Sequence, residues 1–206
     1  MKSEKIGDEL MSPEAFWQWF ASKAEIIASN PESDEIIDEL DRQVKKTWPR
    51  LGWEIGPDPS GNWYFALSPN LNRELVGEAT DAIHGAPVIL GWKFYSARPR
   101  KEWGGKFEIE GSNGVMRFDC ANWRYILLRH PNGDKELIMI APETEILEQH
   151  DRWQAAAIVI EGLLGEGGFL ANVDEFSMES SLDAKLTLQT KPIYELAQAF
   201  ELPTIR

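Results

Sequence analysis

A chain of 206 residues, 43% apolar and 27% charged, has the composition of a globular domain and excludes a disordered tail. Its 21 Lys and Arg against 34 Asp and Glu leave a formal charge of -13, which repels nucleic acid and anionic lipid and leaves a basic protein as the partner that charge favours. The longest apolar run, Ala155 to Ile160, falls far short of the ~20 residues a bilayer requires.

The start, Met1 to Glu9, has no apolar signal region, and a single cysteine, Cys120, cannot close an intramolecular disulfide, so a cytoplasmic location is expected. Two amphipathic helices open the chain. Ser12-Pro13-Glu14 supplies a cap, a first-turn proline and an early acid, followed by a stripe of Phe16, Phe20, Ala24 and Ile27. Asn30-Pro31-Glu32 repeats that opening before Ile36, Ile37, Leu40 and Val44, and Trp48-Pro49 closes the second helix.

From Leu51 the apolar period changes to two. Trp53 and Ile55, a turn at Pro57 to Asn62, and Trp63 to Leu67 predict a hairpin. Leu75, Val76, Ala79, Ala82 and Ile83 predict a helix ended by Gly85 and Pro87, and a strand follows over 91–97. A similar order recurs: strands at 123–129 and 136–140 flank Pro131-Asn132-Gly133-Asp134, a helix through Trp153 to Leu164 stops at Gly165 and Gly167-Gly168, and a strand lies in 169–178. Strands at 106–110 and 115–120 join the sheet between the copies, and a last helix starts near Pro192. The expected fold is α+β, one domain over 1–206. Two N-terminal helices (1–50) precede a ββαβ unit (51–100), its looser copy (106–180) and a tail (181–206). The sheet is antiparallel or mixed, shared by the copies, with helices mainly on one face.

Phe16-Trp17-Gln18-Trp19-Phe20, Trp53-Glu54-Ile55-Gly56-Pro57, Ala86-Pro87 before Gly91-Trp92-Lys93-Phe94 and Arg98-Pro99-Arg100, and Leu163-Leu164-Gly165-Glu166 together resemble a bacterial family of unknown function over most of residues 14 to 180. The resemblance implies a compact bacterial cytoplasmic α+β protein. It carries over no reaction, ligand or catalytic residue.

Nine tryptophans raise the question of core against binding surface. Trp53, Trp63, Trp92 and Trp153 follow the apolar periods and are expected to pack, whereas Trp17 lies off its helix stripe and Trp103 stands in a polar loop, so these two are the candidate surface anchors. Arg98-Pro99-Arg100-Lys101 is the one dense basic run, able to grip an oxyanion through Arg98 and Arg100 or to pair with the protein's own acids. Gly162 to Gly168 follows a helix rather than preceding one, so it reads as a helix stop and not a phosphate cradle, with Glu166 a candidate beside flexible glycines. Cys120 has no motif tying it to His84, His130 or His150, and the histidines lack metal-ligand spacing, so no catalytic residue, metal or cofactor is assigned. Glu108, Glu110 and Asp119 alternate as they would on a wet sheet face, an arrangement that also leaves room for paired-carboxylate chemistry.

The sequence therefore favours a non-enzymatic immunity or regulatory module that binds a basic protein, such as a nuclease toxin, through acidic surface and exposed aromatic rings. The alternative is an enzyme or sensor holding a small anion with Arg98, Arg100 and Glu166, and His150 beside them, in a cleft between the β-rich units.

Overall fold

The computed structural model describes residues 10–58, 60–102, 104–111, 114–182 and 188–202. The chain forms two compact units, one ending at Arg98 and the other beginning at Pro99. The fold is α+β.

In the first unit, α1 (Pro13–Ser29) starts where the sequence signals it, with the Ser12 hydroxyl accepting from the Ala15 N–H at 3.2 Å. Asn30 is not a second start. Its N–H completes the last turn of α1 on the Ile26 carbonyl, and α2 (Asp34–Thr47) begins after Ser33. The α2 stripe buries Leu40 and Val44, while Ile37 is exposed rather than inside. β1 (Gly52–Pro57) and β2 (Trp63–Ser68) form the hairpin, α3 (Val76–His84) crosses over, and β3 (Trp92–Tyr95) returns parallel to β2, giving the order β1-β2-β3.

The core of this unit is a stack of rings. Phe16 and Phe20 of α1 are fully buried and reach Phe65 of β2 at 5.8 and 5.1 Å. Trp17 is buried too, only 4% exposed, with its indole N–H donating to the Ala82 carbonyl at 3.2 Å. The surface position expected for Trp17 is thus corrected. A single stripe assumes that one face of a helix is covered, but α1 is covered on two sides, by Trp48 after α2 and by Phe65 and Phe94 of the sheet.

The first hairpin turn is organised by Asp58, whose carboxylate accepts from the Ser60 and Asn62 N–H groups, both at 2.9 Å, and pairs with Lys93 on β3. Lys93, then Ser60, hold its carboxyl well below the ordinary carboxylate range. A depressed folded value makes this contribution complete above the unfolded value of about pH 4 and removes it as pH falls further toward the folded value. Asp58→Asn should therefore flatten the acid dependence of the urea midpoint below about pH 4, with little effect on its slope at neutral pH. An unchanged acid limb would contradict the assignment.

In the second unit, β4 (Lys106–Gly111) and β5 (Gly114–Asp119) pair with each other along their whole length. β6 (Arg124–Arg129), β7 (Lys135–Ile140), α4 (Gln149–Asn172), β8 (Glu175–Glu179), β9 (Lys191–Pro192) and α5 (Leu196–Ala199) follow. The sheet order is β8-β7-β6-β9, with β6 and β7 antiparallel and β7 and β8 parallel. β6-β7-α4-β8 thus repeats the order and pairing senses of β1-β2-α3-β3. Even the register agrees, since the third residue after each hairpin turn, Phe65 or Leu137, faces a phenylalanine, Phe94 or Phe176.

Two expectations need correction. The copies do not share a sheet: the described strands form separate sheets of three, two and four strands, because β4 and β5 satisfy each other instead of bridging the copies. The Gly165 stop is a break within a longer helix. Gly165 adopts φ 71° and ψ 158°, after which Glu166 to Asn172 resume helical geometry, so β8 starts at Glu175 rather than Phe169. By length and composition α4 could cross a membrane, yet most of its apolar stretch, including Ala155, Ala156, Val159 and Ile160, is buried in the fold. The described part of the tail packs as well, burying Ile193 and Leu196.

Candidate functional site

β7 ends at Ile140, and the chain turns through the 3-10 segment Pro142–Ile146 into α4. The Ala141 N–H donates to the Glu179 carbonyl at 2.9 Å, and the buried Thr144 hydroxyl donates to the Ala141 carbonyl at 2.7 Å, fixing this turn against the end of β8. Arg152, one turn into α4, folds back so that Nε donates to the Leu147 carbonyl at 3.1 Å and Nη2 to the Glu145 carbonyl at 2.8 Å. The result is a braced wall facing β8.

Between that wall and β8 runs a groove of about 490 Å³, whose apolar floor includes Trp153, Phe176 and Leu147 and whose rim carries Glu148 and Glu179. Trp153 lies against Phe176 with ring centroids 5.4 Å apart, and Phe169, from beyond the Gly165 break, meets the same phenylalanine at 5.3 Å. Trp153 stays 49% exposed and Ile146 83% exposed. An apolar surface rimmed by charge is the usual form of a protein contact site. Glu148 precedes the first turn of α4 without capping it through its side chain. Beyond the groove, β8 is the outermost strand of its sheet, and its far edge has no ladder partner among the described residues.

The residues singled out from sequence are scattered. Arg98, the last residue of the first unit, directs Nε and Nη2 onto the buried Ser68 hydroxyl at 3.1 and 2.9 Å, where the Asn70 N–H also donates at 3.0 Å. Arg100, in the second unit, donates through Nε to the Leu163 carbonyl at 2.7 Å. Glu166 is fully buried within α4 immediately after the break, not on a flexible loop, and Trp17 is core. Trp103 lies outside the described residues.

Cys120 is fully buried, its Sγ 3.9 Å from the Tyr194 hydroxyl. Burial raises the thiol pKa, opposite to what a nucleophile needs, and burial together with the thiol's charge pushes Tyr194 up to about 12. Glu108 pairs across the hairpin with Arg117 at 2.6 Å and the Asp119 carboxylate accepts from the Ala121 N–H at 3.0 Å, so each serves local structure. Among the described residues no three His, Cys, Asp or Glu side chains converge as metal ligands.

Sequence reasoning assigned Trp153 to the core, and the structure corrects this. The signal that could have found it is the acid flanking of two apolar segments, Glu143 to Glu148 and Glu175-Phe176-Ser177-Met178-Glu179, because acids at both ends of a short strand mark an edge. No protein-family model matches the chain, and no curated protein and no solved structure matches it significantly.

Proposed function

We propose that this chain is a bacterial cytoplasmic protein that works by binding another protein, as an immunity or regulatory module, and not by catalysis. The observation that supports the reading best is the half-exposed Trp153, laid on Phe176 in an acid-rimmed groove beside a sheet edge. Aromatic rings held rigidly by a second ring make low-entropy anchors, and a formal charge of -13 draws a basic partner in from a distance. The small-anion alternative has less support, since Arg98 and Arg100 direct their guanidinium groups onto Ser68 and Leu163 of their own units.

The test is co-purification of the tagged chain from native lysate at low and at high salt. A basic protein retained at low salt and weakened about tenfold at high salt is the expected result, because charge steering is screened within about 10 Å at 0.1 M salt. If no protein is retained in either condition, the binding reading fails.

A further inference from the structure

Resting on that reading, we propose that an extended basic segment of the partner adds to the outer edge of β8 as another strand, with apolar side chains on Trp153 and Ile146 and Lys or Arg side chains on Glu148 and Glu179. Three observations carry this. The first is geometric. A row of backbone N–H and C=O groups on an outermost strand is a template for pairing, and a groove between such an edge and a helix is the shape that strand addition uses. β8 is outermost among the described strands, and the opposite wall is supplied by Trp153 of α4 and by Glu148 just before it.

The second observation comes from the repeat. Phe94 and Phe176 hold the same place in the two copies. Phe94 is covered by Trp17 and Phe20, 5.2 and 5.6 Å away, from a helix outside the repeated unit. Phe176 meets rings only from α4 of its own copy among the described residues, and one of them, Trp153, is half exposed. The two phenylalanines are equally half-buried, and the apolar surface left over in the second copy is the outer side of Trp153, the ring that takes the covering place.

Charge identifies the occupant. Acids stand at both ends of β8, Glu175 and Glu179, and Glu148 stands on the facing wall. The one cation among the described residues lining the groove, Arg152, is turned onto carbonyls of its own loop. A second copy of the chain fits poorly, because antiparallel pairing of two β8 strands about Ser177 sets Glu175 opposite Glu179 twice, and like charges directly opposed destabilise a ladder. A segment alternating apolar and basic residues meets both the floor and the rim.

The experiment titrates a blocked seven-residue peptide of alternating Leu and Lys into the full chain and follows backbone amide exchange and shifts. Binding should slow exchange of β8 amides and confine shifts to 146–153 and 175–179. Methylating alternate backbone nitrogens of the peptide should weaken binding at least about tenfold, as should Trp153→Ala or the pair Glu148→Lys and Glu179→Lys, all on a protein whose unfolding midpoint is checked. No binding at millimolar peptide, equal binding of the methylated peptide, or shifts elsewhere overturns the proposal. Lysate capture separates the two levels. A partner held equally by the wild type and by the Trp153, Glu148 and Glu179 variants leaves the protein-binding reading standing and removes this site, whereas a wild type that captures no protein removes the reading itself.

Discussion

Phe16→Ala is expected to lower the stability of the first unit by about 3–5 kcal/mol, read from urea unfolding of the whole chain. The magnitude follows from position. Phe16 is fully buried, and its ring lies within 4.8 to 6.1 Å, centroid to centroid, of Trp17, Trp19, Phe20, Trp48 and Phe65. Truncation removes transfer free energy and leaves a void among rigid rings that cannot collapse into it, which puts the cost at the upper part of the large-to-small range. Ile37→Ala is the contrast. Ile37 shares the apolar pattern of α2 but is exposed, so its loss should cost below about 1 kcal/mol. A Phe16→Ala cost as small as that of Ile37→Ala would mean that α1 is not part of this core.

The same contrast shows what a sequence can reveal. Element types were legible because their signals are local: the Ser12-Pro13 start, the Asp58 to Asn62 turn, and the change of apolar period at Leu51 all lie within a few residues of what they specify. The repeated ββαβ order was legible for the same reason, through two turns of similar composition. Burial of individual rings was not. Trp17 and Trp153 each took the place expected of the other, because a stripe describes one covered face of a helix and says nothing about how many neighbours that helix has. α1 is wrapped on two sides, while Trp153 at the start of α4 rests on Phe176 and stays half exposed. The guanidinium chemistry of Arg98 and Arg100 is legible in the sequence, yet the oxygens they meet, on Ser68 and Leu163, are remote along the chain and no local pattern points to them. The groove depends on strand order, which places β8 at an edge, and no local pattern encodes that order.

Gly165→Ala should destabilise the second unit by about 1–3 kcal/mol, although alanine is the better helix former. At φ 71° and ψ 158° the backbone occupies a region in which a Cβ is strained. Two responses are open to the variant, and both cost stability. If the break is kept, the strain is kept with it. If α4 straightens, the segment carrying Phe169 swings away from the one carrying Trp153, and the two rings that meet on Phe176 from opposite sides of Gly165 can no longer do so together. Gly167→Ala provides the opposite sign: it is exposed and helical, so the substitution should gain about 0.5–1 kcal/mol by restricting the unfolded chain. Measured side by side by urea unfolding, a loss at 165 with a gain at 167 places the break at a single residue. A gain at both positions would mean that α4 runs straight, and Trp153 and Phe169 could not then both rest on Phe176 as the docking surface requires.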